Sequence, residues 1–70
     1  MIPTYPNLAV KMAERGITVS DLAKLLNLPY IATYRRVHGK TEWKVAEAAK
    51  LCDIFDCFDI QFLLLRLDSN

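Results

Sequence analysis

The 70-residue chain has few of the residues that mark several large classes of protein, with two cysteines, two glycines, three prolines and one histidine. Two cysteines are too few for a disulfide scaffold, and the isolated Gly16 and Gly39 exclude a glycine-rich phosphate loop. The apolar run Phe62 to Leu65 is far below the roughly 20 residues that cross a bilayer. The first residues, MIPTYPN, lack the basic and apolar regions of a secretory signal. We therefore expect a cytoplasmic protein with free thiols and no membrane partner.

Residue types with catalytic or metal-binding chemistry are scattered along the chain. His38 has no partner at the spacing of a nucleophilic catalytic motif, and the acids around Cys57 disfavour a reactive thiolate. His38, Cys52 and Cys57 are one ligand short of a closed zinc site, and the C-x4-C spacing is not that of a zinc finger. Cys52 instead lies among helically spaced apolar residues, which favours a buried thiol. The sequence therefore predicts no catalytic residue, no metal site and no cofactor.

Charge is distributed unevenly over a chain that is long enough for one domain only. The composition, 53% hydrophobic and 24% charged, is that of a globular protein, and the net charge is +1. Residues 1–46 carry seven Lys/Arg against three Asp/Glu, whereas residues 47–70 carry two against five. This asymmetry is compatible with one side that faces a polyanion, and equally with an ordinary scatter of charge.

Five helical patterns, separated by glycine and proline, cover nearly the whole chain, and no alternating strand pattern of useful length is present. We predict an all-α bundle with helices at about Pro6–Arg15, Val19–Leu26, Pro29–His38, Lys44–Phe55 and Asp59–Leu67. Gly16 ends the first helix, and Asn27 ends the second in a left-handed conformation. Thr18 and Asp21 form a variant of the capping box at the start of the second.

Apolar residues at helical spacing define the faces that should point to the core. These faces are Leu8, Ala9, Met12 and Ala13; Leu22, Ala23, Leu25 and Leu26; Val45, Ala48, Ala49, Cys52 and Phe55; and Ile60, Leu63, Leu64 and Leu67. Phe62 and Leu65 then point elsewhere. This excess apolar surface favours a dimer contact through these two residues over a last helix that is covered on two sides.

The third helix carries an unusual set of side chains opposite the face that packs on the second helix. Ile31 and Arg35 share this face with Tyr34, and Tyr30 and Arg36 lie at its borders. Arginine can contact guanine bidentately, apolar groups can contact the thymine methyl, and tyrosine hydroxyls can reach phosphates. The alternative is that Tyr30 and Ile31 belong to the core and the arginines only solvate the helix. The helix alone does not separate these interpretations.

Residues 16–40, GITVSDLAKLLNLPYIATYRRVHGK, resemble the helix-turn-helix of the Cro and phage-repressor (XRE-like) superfamily. The shared pattern is a Gly-hydrophobic-Thr start, an Asp-Leu-Ala-x-Leu-Leu core and a Gly-Lys end. The segment GKTEW, residues 39–43, and the AEA that begins at residue 46 are similar to small prophage regulators. The resemblance covers about residues 7–65. It implies one compact, five-helix, lambda-repressor-like domain over residues 1–70, with the helix-turn-helix at about 18–38 and a possible dimer contact at 59–67.

The resemblance also implies a function, namely a phage or prophage repressor that binds an operator in double-stranded DNA, as a homodimer, through its third helix. The implied base contacts are Tyr30, Ile31, Tyr34 and Arg35, and the implied phosphate contacts are Thr18, Arg36, His38, Lys40, Thr41 and Lys44.

This chain also departs from the family pattern. Val19 stands where the family often has a phosphate-binding Gln, so that contact would fall to backbone N–H groups and Thr18. Pro29 replaces a Ser/Thr cap. These departures leave open an alternative, a protein-interaction module of the same fold, antirepressor- or antitoxin-like, that does not bind DNA.

Overall fold

The computed structural model describes residues 3–67 and folds them into five α-helices, with no β-strand in that range. The helices are α1 (Pro6–Arg15), α2 (Val19–Leu26), α3 (Tyr30–Val37), α4 (Val45–Phe55) and α5 (Ile60–Leu63). The predicted all-α class and the order of the helices are confirmed. Residues 1–2 and 68–70 of the predicted domain lie outside the described residues.

Local capping interactions set the ends of α1 and α2. Gly16 follows α1 at φ 65°, a left-handed conformation that favours glycine, and its N–H bonds back to the last turn. At the start of α2, the Asp21 N–H donates to Thr18 Oγ1 and the Thr18 N–H donates to Asp21 Oδ2, both at 3.1 Å. The Thr18 N–H, followed by the Thr18 hydroxyl, stabilises the charged Asp21 carboxylate and lowers its pKa. The predicted capping box is therefore present.

The core is formed mainly by α1, α2, α4 and α5. Its buried hydrophobic residues are Tyr5, Leu8, Met12, Leu22, Leu26, Leu51, Phe55 and Leu63. Full burial of each aliphatic side chain of this size stabilises the fold by about 1.5–3 kcal/mol. From α3, only Thr33 and Arg36 are buried. This helix therefore lies at the edge of the core, and most of its surface stays exposed.

Each of the four predicted core faces includes at least one residue that is exposed. Leu25 of α2 is exposed, because it lies about 100° from Leu26 on the side away from Ala23. The buried side of α4 is centred on Leu51 rather than on the alanines, and Val45, predicted to be inside, is 88% exposed. Ala13 of α1, Ala49 of α4 and Leu67, predicted inside as well, are also exposed.

The last helix is shorter than predicted. Asp59 caps it as expected, since its Oδ1 accepts the Phe62 N–H at 3.1 Å, but the helix ends at Leu63 and not near Leu67. The chain then turns back to the N-terminal segment, where the Leu67 N–H donates to the Thr4 carbonyl at 3.1 Å. This bond to a distant residue replaces the helical bonds that an uninterrupted helix would have made.

Candidate nucleic-acid interface

Helices α2 and α3 pack against each other and are joined by a three-residue turn, Asn27 to Pro29. Asn27 adopts the left-handed conformation at φ 57°, as predicted, and the Leu28 N–H donates to the Ala23 carbonyl at 2.9 Å. Pro29 precedes the first turn of α3 rather than lying within it. Its carbonyl accepts both the N–H and the Oγ1 hydroxyl of Thr33 at 3.1 Å, which fixes the direction in which α3 leaves the turn.

The solvent side of α3 consists of Tyr30, Ile31, Tyr34 and Arg35, and all four are exposed. The three apolar or aromatic side chains among them are between 43 and 55% exposed. The interpretation in which Tyr30 and Ile31 belong to the core is therefore excluded. This face is opposite Thr33, which is fully buried against the rest of the protein.

An aromatic row runs along one edge of this face. The ring centroids of Tyr30 and Tyr34 are 6.1 Å apart, and those of Tyr34 and His38 are 4.2 Å apart. The spacing follows from the helix, in which residues four apart are neighbours. Tyr34 is thus held between two other rings, which restricts the positions that its hydroxyl can take.

The two arginines of α3 have different environments. The Arg36 Nε donates to Glu47 Oε1 at 2.7 Å and its Nη1 donates to the Ala32 carbonyl at 3.1 Å, with only 10% of its side chain exposed. The sequence predicted Arg36 as a phosphate contact. Its guanidinium is instead directed to α4, because a carboxylate is available there in the interior. Arg36 therefore lies outside the candidate interface, in which Arg35 is the arginine that α3 contributes.

Glu47 positions Arg36 and was not recognised from the sequence. Its Oε1 accepts the Lys44 N–H at 2.9 Å as well as Arg36, so one carboxylate connects α3 to the first turn of α4. Burial by itself would raise the pKa of Glu47, but the Lys44 N–H, the Arg36 bond and the nearby cations lower it overall. The available signal was its position, three residues after the N-cap Lys44, where glutamate commonly bonds back to the cap.

The loop between α3 and α4 bonds back to the C-terminal turn of α3. Gly39 adopts φ 77°, and the Lys40 and Thr41 N–H groups donate to the Arg35 carbonyl at 2.8 and 3.4 Å. Lys40, Thr41 and Lys44 are exposed. The structure therefore brings Lys40 and Thr41 to the end of the helix that carries Arg35.

The other predicted site residues lie at separate places. Thr18 is exposed at the N-cap of α2, where its Oγ1 already accepts one N–H. Phe62 and Leu65, the predicted dimer contacts, are about half exposed at and just beyond α5. Cys52 is half-buried, and burial raises the pKa of its thiol.

Residues 3–67 contain neither a metal-binding cluster nor a membrane-spanning helix. No group of three or more His, Cys, Asp or Glu side chains there could hold a metal ion. None of the helices in this range is both long and apolar enough to span a membrane.

Arg15, counted in the basic part of the chain, has a structural role. Its guanidinium donates to the Ile54 and Phe55 carbonyls at 3.1 and 3.3 Å, at the C-terminal end of α4. A cation at this end compensates the negative pole of the helix dipole. Arg15 therefore connects the end of α1 to the C-terminal end of α4.

Two helices joined by a short turn, the second exposed and followed by cations, define a helix-turn-helix protein. Residues 7–58 match the family model of the Cro/C1-type HTH DNA-binding domain, and the chain belongs to this family. The family consists of DNA-binding domains, which in general are not enzymes. No curated protein and no solved structure matches the chain.

Proposed function

We propose that the protein is a sequence-specific transcriptional regulator of the phage- or prophage-repressor type, which binds an operator in double-stranded DNA through α3. The observation that carries the proposal is the solvent face of α3, on which an arginine, an isoleucine and two tyrosines are exposed without an acid. The proposed base-facing residues are Tyr30, Ile31, Tyr34 and Arg35, and the proposed phosphate contacts are Thr18, His38, Lys40, Thr41 and Lys44. Such a regulator would act in the cytoplasm.

The dimensions of α3 are compatible with this mechanism. An α-helix with its side chains is about 10–12 Å wide, and the major groove of B-DNA is about 12 Å wide. With α3 in the groove, Arg35 donates two hydrogen bonds to a guanine, while Lys40 and Lys44 neutralise phosphates at the groove edge. Within residues 3–67, the side chains of these three cations form no hydrogen bond or ion pair, so they are available to DNA. Occupation of the operator then blocks or recruits polymerase.

The first experiment measures fluorescence anisotropy of random and selected duplexes between about 50 and 200 mM salt, where phosphate contacts make binding steeply salt-dependent. Arg35→Ala should weaken binding to a selected duplex by about 1–3 kcal/mol and relax the preference at one base pair. Lys50→Ala is the matched control, because Lys50 is an exposed cation on α4, outside the proposed interface. An Arg35→Ala profile identical to that of Lys50→Ala would remove Arg35 from the mechanism.

A second candidate function is a protein-interaction module of the same fold, antirepressor- or antitoxin-like. It is favoured by the apolar surface of α3, since aromatic side chains that are half exposed also suit the centre of a protein interface. An apolar protein interface gives a shallow dependence of affinity on salt, whereas phosphate neutralisation gives a steep one. The salt series therefore separates the two candidates.

We also propose that the regulator is a homodimer through Phe62 and Leu65. The support is their exposed apolar surface near the C-terminal end of the described chain. Two-fold symmetry would place two α3 helices about 34 Å apart, one turn of DNA, and would require a pseudo-palindromic operator. Light scattering should give the mass of two chains without DNA, and of two chains plus one duplex with it, and Leu65→Ser should lower both masses. The mass of a single chain, free and with one duplex, would contradict the dimer, and Val10→Ser, equally apolar and exposed on α1, is the control.

A further inference from the structure

The exposed face of α3 carries few of the side-chain types that can contact base edges. The segment YIATYRRV contains no asparagine, glutamine, aspartate or glutamate. Asn and Gln are the side chains that pair bidentately with adenine, and Asp and Glu accept from the cytosine amino group. The bidentate contact that α3 can make is therefore to guanine, through arginine, and the apolar contact is to the methyl group of thymine.

In the structure, one of the two cations of this helix is available to contact DNA. The Arg36 guanidinium is occupied by Glu47 and by the Ala32 carbonyl. Arg35 is exposed and its side chain makes no hydrogen bond or ion pair within residues 3–67. One bidentate contact, to one guanine, is the number that α3 can supply.

Ile31 is the apolar counterpart of Arg35. It is 55% exposed and lies one helical turn before Arg35, with about 5–6 Å between the Cβ atoms of such a pair. Adjacent bases on a strand are about 3.4 Å apart, so the two side chains can reach bases one or two steps from each other. Isoleucine neither donates nor accepts a hydrogen bond, and the thymine methyl is the apolar group that the major groove offers it.

On the basis of the proposed function, we infer that α3 recognises a thymine methyl group one or two base pairs from a guanine. Ile31 packs on the methyl, and Arg35 bonds to O6 and N7 of the guanine. Tyr34, whose ring is held between Tyr30 and His38, covers this pair of contacts from the side and excludes water. Methyl recognition then makes a sequence-specific contribution that is separate from the phosphate contacts.

The test exchanges single atoms and groups of the DNA. The protein selects duplexes from a random pool, and the selected duplex is then made with deoxyuridine at each thymine in turn, which removes only the methyl. At one thymine, wild type should bind about fourfold more weakly, the value of one buried methyl group. Ile31→Ala should bind the thymine and uracil duplexes equally. Val10→Ala, a β-branched residue that is 53% exposed on α1, should keep the fourfold difference.

A second exchange tests the guanine. At the neighbouring guanine, 7-deazaguanine lacks the N7 acceptor and should weaken wild type about tenfold, since a charge-assisted hydrogen bond is lost. Arg35→Ala should show no such loss.

The outcomes separate this inference from the function on which it depends. Equal binding of wild type to every uracil duplex, with salt-dependent and sequence-selective binding retained, would overturn methyl recognition and leave the proposed function in place. A failure to select any duplex, with no salt-dependent binding, would overturn both. Because Ile31 is exposed, its alanine variant should unfold at the same urea concentration as wild type, which a denaturation curve checks.

Discussion

Arg35 and Arg36 are adjacent arginines with opposite environments. Arg35 is exposed and available to a ligand, whereas Arg36 turns inward and bonds to Glu47. The difference depends on a residue eleven positions away, because a buried guanidinium is tolerated only where a carboxylate and other acceptors compensate its lost hydration. The pair does not by itself make the fold more stable than an apolar pair would. Removal of one partner, however, leaves the other charge buried and uncompensated.

Glu47→Gln should destabilise the protein by about 1.5–3 kcal/mol at neutral pH, the usual value of a hydrogen bond to a charged group. The pKa of Glu47 is lower in the folded state, so its contribution is fully present above the unfolded pKa and is lost as pH falls through the folded pKa. The difference between variant and wild type should therefore shrink below about pH 4, the unfolded value. Urea denaturation at neutral and acid pH measures it.

Glu14→Gln is the matched control for this prediction. Glu14 forms an exposed pair with Lys11 at 3.9 Å on α1, and such pairs contribute about 0–1 kcal/mol. Its replacement should change stability little at either pH. If Glu47→Gln destabilised the protein as much at low pH as at neutral pH, the negative charge of Glu47 would not be the source of its contribution to stability.

Helices α2 and α3 form a unit whose ends are set by short-range interactions. The capping box of Thr18 and Asp21 starts α2, and Asn27 ends it in a left-handed conformation. The Pro29 carbonyl then accepts the first backbone hydrogen bond of α3, from the Thr33 N–H. Because each interaction joins residues that are close in sequence, the points at which α2 begins and ends and α3 begins depend little on the more distant parts of the chain.

Thr18→Ala should destabilise the fold by about 1 kcal/mol, since the Asp21 N–H at the first turn of α2 loses its acceptor. Thr41→Ala is the control, because Thr41 is an exposed threonine whose side chain makes no hydrogen bond or ion pair within residues 3–67, and it should change stability by less than about 0.5 kcal/mol. Both values come from urea denaturation. Equal values for the two variants would show that the cap contributes nothing.

At the scale of the whole molecule, both ends of the described chain meet the loop between α3 and α4. Thr4 Oγ1 donates to the His38 carbonyl at 3.2 Å, and Arg66 Nη2 donates to the Gly39 carbonyl at 3.5 Å. The same arginine bonds to the Tyr5 hydroxyl and to Glu42. Hydrogen bonds from both terminal segments thus hold the loop that carries Lys40.

Gly39→Ala tests this closure. A Cβ at Gly39 would lie 2.7 Å from Thr4 Cγ2 and 2.9 Å from Arg66 Nη2, in addition to the strain of φ 77°. We expect a loss of about 2–4 kcal/mol in unfolding free energy, the sum of left-handed strain and steric overlap. Gly16→Ala shares the left-handed φ but meets no atom within 4 Å, so strain alone should lower its stability by about 1–2 kcal/mol. Similar losses in the two variants would show that the terminal segments yield freely.

Much of the architecture could be predicted from the sequence alone. The ends of α1 and α2 follow from Gly16, Thr18 and Asn27, because caps act between neighbours in sequence. The exposed face of α3 follows from helical periodicity once Thr33 is placed against α2. The family pattern in residues 16–40 then leads to the same helix-turn-helix that the structure contains.

Interactions between distant residues account for what could not be predicted. The direction of the Arg36 side chain depends on Glu47. This polar pair occupies part of the inner face of α4, so the buried side is centred on Leu51, and a search for apolar residues at helical spacing does not detect a buried polar pair. The end of α5 depends on the backbone bond from Leu67 to Thr4. Capping and periodicity are local and are written in consecutive residues, whereas the partner of a buried charge or of a terminal segment exists only after the chain has closed on itself.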